Sequence, residues 1–522
     1  MINKFIFSLL IFIISLNLIS SSQHQNILIS NLNEPEEPTI AINPYNTNQI
    51  VAGANINNLY FSNDGGLSWQ ISTLSSQYGV WGDPCVIVDT AGDYYFFHLA
   101  NLVPQGGNWI DRIVCQKSSD GGLTWTDGNY MGLNGARAQD KEWATVDRNT
   151  NSIFVTWTEF DMYGSSAIED SSRILFSLSH DGGASWLDPP IKINQISGDC
   201  VDGDNTVEGA VPAIGQNGEI FVAWVGPAGI VFDRSLDTGA TWLENDIFIS
   251  DIPGGWDFSV PGISRCNGLP VTLCDTSGGQ FHGNIYVNWS DQRNGADNTD
   301  IWLTKSIDGG NTWSQATKIN DDTTTSHQFF TWMAIDQTNG NLYFVFYDRR
   351  NYSDTQTDVY MAFSSDGGNS FVNFKVSESP FIPNQGVFFG DYTNISAHNN
   401  VIRPIWTSLD NQQLSIWTAI VDLDTIVSGI SENSKFSLQQ NFPNPFRQET
   451  FFSFKLTKPS VVSLKVHDIL GHEIATIVDN KNYNTGFYIE SFNSESYSLA
   501  KGIYYFSLIS NQKTIRKKMI VQ

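Results

Sequence analysis

The sequence predicts an all-β protein, a seven-bladed β-propeller (six blades is the alternative) followed by a small β-sandwich. Three observations predict it. The phrase Ser62-Asn63-Asp64-Gly65-Gly66-Leu67-Ser68-Trp69 returns five more times, with its aspartate at Asp120, Asp181, Asp237, Asp308 and Asp366. A pair of strand-like runs precedes each copy. Glycine and aromatic residues are abundant, and long amphipathic helical patterns are absent.

The phrase has a physical reason to repeat. Ser and Asp accept hydrogen bonds from nearby backbone N–H groups, and glycine supplies the positive φ of a tight hairpin. The aromatic that follows (Phe371 in the last copy) opens the next strand and packs beneath the turn. These aspartates read as turn staples rather than catalysts. Strands one and two of each blade lie upstream, as in Trp332 to Asp336 and Leu342 to Asp348. Equivalent stretches are Thr39 to Asn55, Pro84 to Asn101, Trp143 to Asp161, Ala210 to Val225 and about Val260 to Asp291. The phrase then turns strand three into strand four, seen in Ile191 to Asn194 and Thr317 to Asn320.

Counting phrases predicts six blades; counting strand pairs predicts seven. Residues Tyr392 to Ser396, Val401 to Ser408 and Leu414 to Val421 supply three strands without a phrase or a fourth strand. Asn26 to Ser30 reads as an orphan fourth strand that closes the ring and removes two exposed edges.

These phrases resemble the Asp-box, or BNR, repeats of sialidase-like propellers. They recur at spacings of 56, 61, 56, 71 and 58 residues. The resemblance covers Asn26 to about Leu423 and implies the fold. It leaves activity open, because such propellers include sialidases, other glycan-active enzymes, sorting receptors and assembly factors.

The ends and the composition bound the setting. Residues 1–22 read as a secretory signal: Lys4, an apolar run from Phe5 to Ile19, then Ser20-Ser21-Ser22. The propeller is expected over 26–424, a polar linker over 425–435 and the sandwich over 436–522. A net charge of −26 argues against nucleic acid. Of the five cysteines, Cys266 and Cys274 are near enough in sequence to close a local disulfide. Cys85, Cys115 and Cys200 have no pairing readable from sequence. No stretch of the mature chain is apolar enough to span a bilayer.

The tail has short strands, Pro and Gly turns, and the basic run Lys513 to Met519. Its landmarks, Phe436 to Phe446, Val462 to Ile474 and Leu499 to Phe506, resemble the type A sorting domain of the type IX secretion system. The resemblance implies the type IX machinery as a partner, a Gram-negative cell of the Bacteroidetes kind, and an extracellular or outer-surface destination.

A site is expected where strand one begins and strand two ends, around the channel and opposite the aspartate hairpins. The starts of strand one offer Glu36, Glu37, Asp83, Asp140, Lys141, Glu142, Glu208, Asp257, His327, Asp391 and Tyr392. The ends of strand two offer His98, Glu159, Asp161, Asp291, Arg293, Asp348, Arg349, Arg350 and Asp410. Such a ring of carboxylates can supply the acid pair of glycoside hydrolysis, or cap loops without doing chemistry. No cofactor is required, although the oxygen ligands also suit calcium. Asp202-Gly203-Asp204-Asn205 reads as a polar turn. Trp81, Trp256 and Trp332 are candidates for stacking on sugar rings.

The sialidase resemblance implies three arginines that grip a sugar carboxylate, a Tyr–Glu pair and an Asp acid. The matching positions are Arg137, Arg293 and Arg349 or Arg350, then Tyr392 as nucleophile, Glu208 or Glu142 beside it, and Asp83 as acid. Asp348, Asp391 and Trp81 complete the expected substrate contacts. One departure is plain: the first-blade Arg-Ile-Pro motif is missing, and Glu36-Glu37-Pro38-Thr39-Ile40 stands in its place. An acidic pair repels a sialic acid carboxylate. The expected function is a secreted, surface-delivered, sialidase-like propeller that acts on or binds extracellular glycans, as a glycosidase using the funnel carboxylates. The alternatives are a non-catalytic propeller that binds polysaccharide or protein, and a structural surface component.

Overall fold

The computed structural model describes residues 24–101, 110–422, 436–438, 440–441, 443–456, 458–469, 471–510 and 513–522. The expected signal peptide and the 425–435 linker lie outside the described residues. The chain divides into one unit ending at Val421 and a second beginning at Asp422.

The first unit contains seven four-stranded antiparallel sheets. Blade 1 runs outward as Thr39–Ile42, Ile50–Ala54, Asn58–Ser62 and Gln70–Thr73. The innermost strands of blades 2 to 6 are Cys85–Val88, Ala138–Val146, Glu208–Ile214, Val271–Cys274 and Gln328–Asp336. Blade 7 takes Asn394–His398, Val401–Asp410 and Gln413–Ile420, and its outer strand is the N-terminal Gln25–Ser30. Gln25 pairs with Ile420, Ile27 with Thr418 and Leu28 with Trp417. Each innermost strand packs against the next, and that of blade 7 returns to blade 1. The wheel is closed by its own first strand.

The second strands explain the long apolar runs. Tyr94–Ala100, Ile153–Phe160 and Ile220–Gly226 are buried throughout, because a neighbouring blade covers each face. Trp157, Trp224 and Trp289 are among the largest fully buried side chains.

The repeated phrase builds the same hairpin six times. In blade 1 the Ser62 hydroxyl donates to Asp64 Oδ1 at 2.8 Å and accepts from the Gly66 N–H at 2.8 Å. The Ser68 N–H donates to the same carboxylate at 2.9 Å, and Trp69 Nε1 donates to the Gly66 carbonyl at 3.1 Å. The second glycine leans on the preceding blade. A Cβ at Gly239 meets Phe176 at 2.5 Å, and one at Gly310 meets Phe232 at 2.4 Å, both at positive φ. At the closure, Arg403 of blade 7 donates to the Gly65 carbonyl of blade 1 at 2.7 Å. The Gly65 N–H donates to the Asn48 carbonyl, which places this hairpin beside the turn between strands one and two. The hairpins thus lie on the face opposite the starts of strand one.

Two expectations are corrected. Blade 5 starts at Val271 rather than near Val260, because Asp257–Phe258 and Cys266–Asn267 form a separate short ladder. Cys266 and Cys274 are free and buried. Cys266 faces Phe258 in that ladder, whereas Cys274 ends the innermost strand of blade 5 opposite Ile285, so the strand carries the two thiols apart.

The second unit is a sandwich of two sheets. One orders Phe436–Leu438, Glu449–Leu456 and Gly486–Asn493; the other orders Glu473–Tyr483, Ser460–His467, Gly502–Ser510 and Lys513–Val521. Their inner faces meet through Phe452, Phe454, Leu464, Phe506 and Met519.

Closure gives a test. Ile29 is buried against Ile40, Ile405 and Ile416 at the seam. Ile29→Ala is expected to lower propeller stability by about 2–5 kcal/mol, read from urea unfolding followed by tryptophan emission. An unchanged midpoint means the first strand does not hold the ring.

Candidate functional site

The innermost strands begin in an unusual backbone conformation. Glu37, Asp83, Lys141 and Phe330 have φ of 52°, 47°, 52° and 50°, a region that residues other than glycine seldom visit. Gly209 occupies the comparable place in blade 4. Pairing slips between Asp140 and Trp143, between Glu208 and Val211, and between Phe329 and Trp332. Such bulges re-aim side chains. Here they gather the charged residues of several blades.

At the centre is Lys141. Its side chain is 6% exposed, and Nζ lies 2.8 Å from Asp391 Oδ2, 3.2 Å from Asp83 Oδ2 and 4.0 Å from Glu37 Oε1. Arg265 is the second cation. Its Nε donates to Asp391 Oδ1 at 2.9 Å, Nη1 donates to Asp202 Oδ2 at 2.9 Å, and Nη2 also meets Asp391. The Asp391 N–H donates to Glu37 Oε1 at 3.0 Å, and Asn55 Nδ2 donates to the other oxygen of Glu37. The Asp83 N–H donates to Asn55 Oδ1 at 2.6 Å. Tyr163 donates its hydroxyl to Asp202 at 2.5 Å.

The charges divide unequally among these acids. Burial pushes Asp391 upward, but Lys141 and Arg265 more than offset it and hold the carboxylate ionised. Asp83 is likewise raised by burial and brought below its ordinary range by Lys141 and a hydrogen bond from Glu37. Glu37 is pushed well up by burial and by the Asp83 charge, so it carries the proton of that pair. Asp140 is raised to about 8 by burial and, against the pull of Lys141, by Asp83 and Asp202. Glu36 is raised to about 8, chiefly by burial. Burial and neighbouring acids also push Glu142 and Glu208 well above the ordinary carboxylate range. Tyr392 is raised by burial and by Glu37 and Asp83, which keeps it a phenol.

Four buried atoms here have no hydrogen-bond partner among the described residues: both Glu142 oxygens, Glu208 Oε1 and the Tyr392 hydroxyl. The Tyr392 ring packs on Trp143 and Trp332 at centroid distances of 5.0 and 6.1 Å. Trp143 and Trp332 line the upper end of a central channel of about 500 Å³ that runs toward the hairpin face. At the outer mouth, Glu36, Asp140, Asp202 and Arg265 are half-buried, while Asp204, Asp257 and Phe388 are exposed.

The structure thus brings Asp83, Glu142, Glu208, Asp391 and Tyr392 into one cluster. The other expected site residues make contacts of their own. Arg137 pairs with Glu159 at 2.8 Å and Asp161 at 3.0 Å. Arg293 pairs with Asp291 and lies over Trp302. Arg349 is buried over Phe329 and donates to Thr357. Asp348 is held by Arg350 at 2.7 Å. Trp81 is half-buried and donates to the Asn101 carbonyl at 3.4 Å. Trp256 is buried and donates to the Thr206 carbonyl. The Asp202 turn is polar, as expected, and among the described residues no acidic, His or Cys group has the arrangement of a metal site. Sequence reasoning gave Lys141 no role and missed Arg265; the signal for both was the excess of acids, which when buried require cations.

Residues 440–522 match the family described as Secretion system C-terminal sorting domain. The tail is a secretion sorting domain. It directs the chain through the type IX system to the outer cell surface, as in Bacteroidetes. Among the described residues no helix is long and apolar enough to cross a membrane. No curated protein matches this sequence. Similar solved structures include the Hadza microbial sialidase Hz136, at 14% identity over 72% of this chain and 74% of that one, with a TM-score of 0.42. The α-L-arabinanase of Penicillium chrysogenum, solved with arabinobiose, is 14% identical over 64% and 97%, with a TM-score of 0.40. YCF48 bound to D1 peptide is 10% identical over 77% and 96%, with a TM-score of 0.39.

The site has measurable consequences. Lys141→Met leaves three buried acids without their shared cation and is expected to cost about 3–5 kcal/mol in urea unfolding. Asp140 and Glu36 keep a proton up to pH about 8 when folded, but release it near pH 4 when unfolded. Between those values the folded chain binds more protons, so stability falls as pH rises. The melting temperature is expected to be higher at pH 5 than at pH 8, with a smaller difference in Asp140→Asn. An equal or steeper fall in that variant contradicts the assignment.

Proposed function

We propose that the propeller is a secreted glycoside hydrolase that acts on neutral glycans, with Asp140 as the proton donor and Asp83 as its ionised partner. The observation that carries this is the unequal sharing of protons around Lys141. A half-buried acid that is still protonated near neutrality stands beside a carboxylate held ionised by an ammonium. Pairs of carboxyl groups held in different protonation states are what glycosidic cleavage requires: one protonates the leaving oxygen, and the other attacks or activates water.

The charge of the mouth supports a neutral substrate. Its cations, Lys141 and Arg265, are both committed to carboxylates. Arg137, Arg293 and Arg349, expected to grip a sugar carboxylate, are occupied elsewhere. An anionic sugar would meet the carboxylates of Asp202, Asp204 and Asp257 with no spare positive charge to bind it.

One observation favours a second reading. Asp83, Glu142, Glu208 and Tyr392 are each less than a tenth exposed. That burial suits a scaffold, with the propeller binding a glycan or a protein without turnover. Reducing-end release by the full chain from neutral arabinan, xyloglucan and galactomannan, with sialyllactose as the anionic comparison, separates the two. Release from a neutral polymer is expected, falling about 10²–10⁴-fold in Asp140→Asn. Cleavage of sialyllactose alone, or full activity in Asp140→Asn, refutes the proposal.

A further inference from the structure

A second concave feature lies away from the acid cluster. Between blades 6 and 7 a groove of about 800 Å³ runs along the strand pair Val401–Asp410 and Gln413–Ile420. The volume lies within the range of about 300–1,000 Å³ common to ligand sites. Its origin is legible in the strand alternation. Ile405 and Ile416 face blade 1 and join its core with Ile29. The opposite side of the same strands carries Trp406, Ser408, Trp417 and Ser415, with Trp406 opposite Trp417 and Ser408 opposite Ser415. On that side the far wall is the loop from Ser377 to Gln385, which follows the outer strand of blade 6.

The lining chemistry is specific. Trp417 is half-buried, and its Nε1 donates to Ser415 Oγ at 3.0 Å, which fixes the ring. Around it stand hydroxyls and amides, including Ser408, Asn411 and Gln412. The lining holds no lysine or arginine among the described residues; its charges are the carboxylates Glu378 and Asp410. An indole platform ringed by neutral donors and acceptors suits the apolar face and hydroxyl rim of a sugar. The carboxylates disfavour an anionic ligand.

The groove is joined to the acid cluster through one segment. The loop that walls it continues to Phe388, whose ring lies 5.8 Å from the guanidinium of Arg265, and then to Gly390 and Asp391. Pro383, in the same loop, lies against Gly262, which precedes Arg265. A chain seated on Trp417 therefore contacts the segment that ends in the central carboxylate.

We propose that this groove binds flanking residues of a neutral polysaccharide chain, with Trp417 as the stacking platform. The inference rests on the glycan reading of the acid cluster, but its test is binding rather than turnover. Affinity electrophoresis of the full chain in gels containing arabinan, xyloglucan or galactomannan, with polygalacturonate as the anionic comparison, measures it directly. In the Asp140→Asn background at least one neutral polymer is expected to retard the protein. Adding Trp417→Ala is expected to weaken that retardation about three- to tenfold, a loss in the range of removing one stacked ring, with Trp417→Phe retaining most of it. Circular dichroism and an unchanged melting temperature show that each variant is folded; if Trp417→Ala fails to fold, Asn411→Ala with Gln412→Ala takes its place. With catalytically intact protein, Trp417→Ala is expected to raise KM for the polymer and leave turnover of a small aryl glycoside unchanged. Retardation that is absent, indifferent to these substitutions or confined to polygalacturonate overturns the proposal. Trp417-dependent retardation without any hydrolysis leaves the groove standing and refutes only the hydrolase.

Discussion

The propeller depends on a steric contact repeated around the wheel. In each aspartate hairpin the second glycine lies against the preceding blade, and at four of them a Cβ would clash, as at Gly239 on Phe176 and Gly310 on Phe232. Side chains of the preceding blade also donate to the carbonyl of the first glycine: Arg403 to Gly65 and Lys305 to Gly367. The hairpin is at once the turn of one blade and part of the wall of its neighbour. Placing this interlock on one face leaves the other free of it, and that other face carries the charged cluster.

Burying so many acids is tolerable only because Lys141 is buried with them and Arg265, half-buried, pairs with two of them. A lysine in the left-handed region at the start of an inner strand is locally unfavourable. It persists because Asp83, Asp391 and Glu37 surround its ammonium. The same bulge occurs at Phe330 and Gly209, which carry no charge, so it belongs to the architecture of the blades. The charged cluster uses a backbone feature the fold already supplies. Because the cations are fewer than the acids, several acids remain protonated, and this makes the cluster chemically asymmetric.

Much of this was legible from residue order. The six hairpins, the paired runs before them, the orphan Asn26 to Ser30 strand and the two-sheet tail all follow local rules of turn chemistry and alternation. The face of the site was legible too, since Asp83, Glu142, Glu208, Asp391 and Tyr392 all stand where strand one begins. The arginines were not. Arg137, Arg293 and Arg349 have the right position along the chain, but ion pairs with Glu159 and Asp291 and burial over Phe329 absorb them. Arg265 lies in an insertion with no counterpart in the other blades, so no repeat rule pointed to it.

Sequence alone determined what depends on neighbours in the chain: hairpins from Ser, Asp and Gly, strands from alternation, and export from a tail whose landmarks are contiguous. Tertiary structure decided which acid keeps its proton, which carboxylates hold the buried cation, and that Trp417 of blade 7 lines a groove instead of a core. Those outcomes depend on distances between residues up to hundreds of positions apart, such as Lys141 and Asp391. Electrostatic and packing energies follow distance in space, and only the closed wheel sets it.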